Sequence, residues 1–278
     1  MKIKLISAFL AFALASMACG FTLPKPPTPG PEVTDDISIP APKTDNVSLS
    51  LAFGAGEMNL EPGAKKLVEG TATYNYSLFK PEVVKDGSDV RIKMGEVKNL
   101  TSFNELKNEW DFKLGDTPMD LKIESGAYKG TFEFGGLSLN SLTIKDGAAE
   151  VDLAFSELNP VEMSVFSYET GASDVKLTGL ANANFGLMDF SSGMGDYTLD
   201  FSGELQRDAS VTISSGLSNV MIIIPEGVNA VVTVDSGASN ISAGSEWSQN
   251  GSVYKQKGEG PTLTIVISIG AGNVTLTK

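Results

Sequence analysis

The chain has 278 residues, a net charge of −13 and no histidine. An acidic surface repels nucleic acid, because phosphate binding needs a clustered excess of Lys and Arg, and the lack of imidazole removes His-based triads and most zinc sites. With 29 glycines and a hydrophobic fraction of 41%, the chain can bury a substantial core but is too rich in glycine for long helices.

The chain opens with Lys2 and Lys4, an apolar run from Leu5 to Ala15, and then Ser16-Met17-Ala18-Cys19-Gly20. This is the pattern of a secretory signal over residues 1–18, and its apolar run falls short of the roughly 20 residues that span a bilayer. Cys19 is the sole cysteine, so an intramolecular disulfide is excluded. The small residues before it resemble the lipobox of bacterial lipoproteins, which implies a diacylglyceryl group on Cys19, although Ser16 stands where that motif usually has Leu. Cleavage after Ala18 with a free thiol is the alternative. Loss of Lys2 and Lys4 with the signal makes the mature chain two charges more negative, so the acyl group, rather than adsorption on anionic lipid, supplies membrane attachment.

Residues 19–44 read as a lipid-anchored linker. The stretch Phe21 to Ala41 carries six of the 13 prolines, a composition that favours extended polyproline II at about 3.1 Å per residue. Residues 45–120 read as a smaller N-terminal β module. Its first unit, Leu49 to Leu60, is followed by strand-like runs, Thr71 to Leu78, Asp89 to Met94 and Trp110 to Leu114, that fall out of phase with what comes after.

Residues 121–278 repeat the pattern of that first unit. Eight glycines, Gly54, Gly126, Gly147, Gly171, Gly193, Gly216, Gly237 and Gly270, each stand between two short runs of alternating apolar residues. Five and three residues before each glycine all sixteen positions are apolar or aromatic, from Leu49 and Leu51 to Ile265 and Ile267. Four and six residues after it only Gly130 and the small Ala243 depart. Spacing of two predicts strands with one buried face. The glycine predicts a corner, on the ground that it accepts positive φ, and the step of twenty-odd residues predicts stacked coils. Phosphate cradling by these Gly-rich runs is disfavoured, because that chemistry needs a glycine loop opening a helix. The fold class is therefore all-β: stacked repeat units in a solenoid-like array, preceded by a smaller β module. An antiparallel sandwich of hairpins is the alternative.

Two features of the repeat invite a functional reading. The long last step holds a polar loop, Glu246 to Gly260, with Trp247 and Tyr254; packing back onto the edge of the array is favoured over a contact site on the loop tip. Three residues after each glycine a polar column runs Glu57, Lys129, Glu150, Asp174, Asp196, Asn219, Asn240, Asn273. Its acidic members invite calcium, but the oxygen count falls below the usual six to eight, so no metal is expected. Asn46, Asn75, Asn99, Asn240, Asn250 and Asn273 head chance N-x-Ser/Thr sequons.

The segments GAGEMNLEPGAKKLVEGTATYN (54–75), SGMGDYTLDFSGELQRDASVTI (192–213) and the terminal GAGNVTLT resemble the bacterial toast-rack family. The C-terminal part is similar to LiaF-type domains associated with responses to cell-wall-active antibiotics. That resemblance implies a lipoprotein whose β-units stand like slices in a rack. It carries no catalytic residue to any position here. No pair of carboxylates is placed across a cleft and no nucleophile stands beside a base, so no catalytic, cofactor or metal residue is assigned; Ser-Lys chemistry has no motif. The expectation is a non-enzymatic, extracytoplasmic lipoprotein that binds wall polymer or an envelope protein; the alternative is an accessory sensor or regulator of envelope stress.

Overall fold

The computed structural model describes residues 28–44, 46–95 and 105–278. Cys19, the signal and Asn99 lie outside them. Among the described residues one sheet contains sixteen strands: β1 (Val33–Ile39), β2 (Val47–Pro62), β3 (Val68–Tyr74), β4 (Glu82–Asp86), β5 (Asp89–Lys93), β6 (Asn108–Leu114), β7 (Met119–Glu133), β8 (Leu139–Lys145), β9 (Ala148–Ala154), β10 (Met163–Thr178), β11 (Phe185–Asp200), β12 (Ala209–Ile223), β13 (Val228–Ala243), β14 (Ser248–Asn250), β15 (Val253–Gln256) and β16 (Glu259–Thr277).

Each long strand is one unit with two arms that meet at its central glycine; in the third unit β8 and β9 are the two arms. Units pair in parallel and in register on both sides of the corner. In β10 and β11, Tyr168 faces Phe190 before it and Val175 faces Tyr197 after it. The first arms bury Leu49, Leu51, Leu121, Ile123, Phe166, Tyr168, Ile265 and Ile267, and the second arms bury Met58, Leu60, Val175, Leu177, Val274 and Leu276 in the same core. Connecting segments close the third side with Phe134, Phe155, Phe201 and Ile224. Parallel, in-register stacking of the units gives the solenoid-like array expected from the twenty-residue period and excludes the hairpin sandwich. Gly130, one of the two exceptions to the pattern, sits beneath Tyr128 and Phe132, whose stacked rings are 6.2 Å apart and fill the space a side chain would take.

The eight glycines form one ladder, but for a different reason from the one expected. None of them has a positive φ. A Cβ on Gly126, Gly193, Gly216 or Gly237 would lie 2.6 Å from the carbonyl oxygen of the ladder glycine on the neighbouring unit. At the corner the backbones approach too closely for any side chain. Positive φ appears two residues later, at Gly56, Gly195 and Gly272.

Three features differ from the sequence reading. Residues 33–39, within the expected linker, form β1, which pairs antiparallel with β3 and buries Ile37 and Ile39. The prolines cluster outside this alternating run, at Pro31 and before, and at Pro40. The expected module of residues 45–120 does not stand apart either. β2 pairs with β7 from Val47 to Leu60, because its Leu49 to Leu60 unit obeys the repeat and must stack. Its first arm carries β5 and β4 on the free side, and its second arm carries β6, β3 and β1. Finally, the last units do not stack in chain order. β16 inserts between β12 and β13, placing Leu263, Ile265, Ile267, Val274 and Leu276, each at most 1% exposed, on an interior rung. The less apolar β13, with the small Ala243 beside Leu276 of β16, takes the end.

The loop Glu246 to Gly260 packs on that end, as expected. β14 and β15 form a hairpin, and β15 pairs with the first arm of β13 from Ala230 to Thr233. Trp247 and Tyr254 are 8% and 5% exposed and join the core.

Candidate interaction surface

The outward residues of the second arms line up into columns because the register is unbroken. The polar column runs Glu57, Lys129, Glu150, Asp174, Asp196, Asn219, Asn273, Asn240 across adjacent rungs. Lys129 Nζ donates to Glu150 Oε1 at 2.8 Å. From Asp196 onward amides take over: Asn219 donates to Asp196 at 2.6 Å, Asn273 to Asn219 at 2.6 Å and Asn240 to Asn273 at 3.3 Å. Alternating amide donors and acceptors satisfy one another along the strand spacing of about 4.8 Å. Among the described residues no group of three or more His, Cys, Asp or Glu side chains converges as a metal site needs.

Beside this column lies a cleft of about 490 Å³, open to solvent, on β2, β6, β7, β9 and β10. Its floor comes from small outward residues in the middle rungs. Thr131 lies between Asn59 and Asp152, and Ala154 between Glu133 and Thr178. Its walls carry Glu61, Asp111, Glu133 and Asp152, with Lys176 as the one basic lining residue. Two of the four carboxylates are engaged. Glu61 pairs with Lys113 at 2.8 Å, and Glu133 Oε1 accepts from the backbone N–H of Gly135 and of Ser156 at 2.6 and 3.1 Å. Asp111 and Asp152 are left to give the cleft its sign. Sequence reading assigned neither: Asp152 is one of many outward residues of the repeat, and its neighbour in the cleft, Asp111, lies on β6, which falls outside the repeat and reaches β2 only by a long-range pairing.

A second polar cluster sits inside the corner. Asp146 directly precedes Gly147, a position occupied in the other units by the hydroxyl residues Ser125, Thr170, Ser192, Ser215 and Ser236 or by the apolar Phe53 and Ile269. Its carboxylate accepts from Tyr168 at 2.9 Å, Tyr128 at 3.4 Å, Ser173 at 3.5 Å and from Thr170. Burial pushes the Asp146 carboxyl above its ordinary range, and the four hydroxyls, which stabilise the anion, offset only part of that rise. Burial, with the charge of Asp146 close by, also holds the Tyr128 and Tyr168 hydroxyls well above the usual phenol range. With no reactive partner beside it, the cluster fastens one rung to the next. An acid at a position where every other unit has a hydroxyl or an apolar residue was the signal in the sequence.

A profile of the family described as "N-terminal domain of toast_rack, DUF2154" matches residues 28–167. No curated protein matches the sequence. Among solved structures, the chain is similar to a "putative cell adhesion protein" from Clostridium sporogenes, with 18% identity, 90% of this chain and 99% of that chain covered, and a TM-score of 0.47. It is also similar to a "putative adhesin" from Bacteroides fragilis, with 11% identity, coverage of 92% and 100%, and a TM-score of 0.46. For a "Putative lipid binding protein" from Parabacteroides distasonis the identity is 13%, the coverage 88% and 97%, and the TM-score 0.39.

Proposed function

The chain belongs to the toast-rack family, and from that premise we propose that it is a non-enzymatic β scaffold, anchored to the cell envelope through lipid on Cys19, that holds a partner on the outer face of its second arms. The observation that carries this reading is the cleft of about 490 Å³ on that face, built on paired strands whose backbones are fixed by hydrogen bonds on both sides. A surface held this way loses little conformational entropy on binding. Its charge selects the partner. Asp111 and Asp152 favour a basic segment of an envelope protein, or the amino groups of a wall polymer, through complementary charge.

The test is crosslinking in cells followed by recovery of the protein and identification of what is bound. Reversing the cleft with Asp111→Lys and Asp152→Lys, two outward positions that leave the core intact, is expected to abolish the specific adduct while the melting temperature stays within a few degrees. An undiminished adduct refutes the cleft as the contact surface. Identity of the adduct also separates this reading from the narrower one, an accessory to an envelope-stress sensor of the LiaF kind: a membrane signalling protein would favour the latter.

A further inference from the structure

The sheet ends in four edges among the described residues, and three are protected in recognisable ways. β1 carries Asp35 and Asp36 between Pro31 and Pro40, and β4 carries Glu82, Lys85 and Asp86. β14 is three residues long. Charges, flanking prolines and short length are the usual devices against edge-to-edge association. The fourth edge is the second arm of β13, Ala238-Ser239-Asn240-Ile241-Ser242-Ala243. β15 covers β13 only from Ala230 to Thr233, so this arm has β16 on one side and, among the described residues, no strand on the other. It has no charge, no proline and no bulge in its pairing with β16, in a chain of net charge −13.

Its hydrogen-bonding groups are placed for antiparallel pairing. The N–H of Gly244, an outward position, donates to the carbonyl of Leu276 on β16. By strand alternation, Ser242 and Asn240 also turn their backbone groups inward to β16, and Ser239, Ile241 and Ala243 present theirs at the free edge. Ile241 is only partly buried, whereas its equivalents Val175, Tyr197, Val220 and Val274 are at most 2% exposed. The amide column ends here too, in Asn240, whose Nδ2 reaches Asn273.

We infer that this edge is where two copies of the chain join, β13 against β13 antiparallel about a two-fold axis through Asn240. With Asn240 facing its symmetry mate, Ser239 faces the partner's Ile241, and the free N–H and C=O groups of both residues close four backbone hydrogen bonds per dimer. An isologous edge must match itself. A neutral edge does so without like-charge repulsion, whereas the acidic pairs on β1 would oppose it. The same geometry completes the burial of Ile241 and extends the amide column across the axis. This surface is separate from the cleft and does not depend on its partner.

The test uses the full mature chain with Cys19→Ser, which removes the thiol and any acyl group. Sedimentation at tens of micromolar is expected to give a dimer, and Asn240→Lys with Ser242→Lys, both pointing outward, to give a folded monomer whose melting temperature no longer depends on protein concentration. Asn240→Cys is expected to form an intermolecular disulfide on mild oxidation, while Asn219→Cys, in the same column but on an interior rung, forms none. A monomeric wild type, or a dimer that survives both lysines, overturns the inference. So does a monomer whose amides at 239–243 gain exchange protection only when a foreign peptide strand is supplied, since that assigns the edge to another occupant.

Discussion

The corner glycines show how a single missing Cβ sets the spacing of the whole sheet. Sequence analysis located all eight, but attributed them to positive φ, because the one-dimensional pattern cannot reveal a close approach between residues some twenty positions apart. Gly193→Ala would put a methyl group 2.6 Å from the Gly171 carbonyl, so it is expected to cost about 1–3 kcal/mol, the range for overpacking. Ala172→Ser, on the exposed neighbouring column, is expected to stay within about 0.5 kcal/mol. Urea denaturation of the two variants checks this.

Asp146 supplies a pH dependence whose sign follows from its environment. Burial raises its folded pKa above the ordinary value, so the folded chain holds the proton more tightly than the unfolded one. The stabilisation from that proton is fully present below the unfolded pKa of about 3.9 and is lost as pH rises through the raised folded value. Asp146→Asn removes the titration. Relative to wild type, the variant is expected to gain stability as pH rises across that window, and denaturation midpoints between acid and neutral pH measure it. A difference that stays flat with pH would mean that Asp146 is not held against its charged form.

At the scale of the strand, the alternation read from the sequence places residues correctly: Val175 is 1% exposed and Lys176 is exposed. Val175→Asp is expected to lose several kcal/mol by burying an unpaired carboxylate and to loosen the rungs on both sides. Lys176→Asp is expected to be mild. Equal damage from both would contradict the two-sided strand. What escaped the reading were elements defined by pairing across long distances. β1 hides in a proline-rich region because composition was averaged over residues 21–41, although the run from Val33 to Ile39 contains no proline. The cleft was not legible for the same reason, since Asp111 comes beside Asn59 only through the pairing of β6 with β2.

For the whole molecule, a parallel ladder converts eight short, glycine-broken segments into one body whose outer columns are continuous. Function on this account needs both a fixed face and a tether. The tether is tested by Cys19→Ser, which is expected to move the protein from the membrane fraction to the soluble envelope fraction after a salt wash; continued sedimentation with membranes would refute lipidation as the anchor. The face depends on the units being stacked as described, and the order of the last three rungs is the point at which that stacking departs from chain order. Paired cysteines in the Cys19→Ser background test it most directly, because a disulfide forms only where Cα atoms lie within about 4.4–6.8 Å. With β16 between β12 and β13, Asn219→Cys with Asn273→Cys is predicted to close an intramolecular bond on oxidation, and Asn219→Cys with Asn240→Cys, two rungs apart, to remain reduced within the chain. The reverse result would restore sequential stacking and contradict the continuous face on which the account rests.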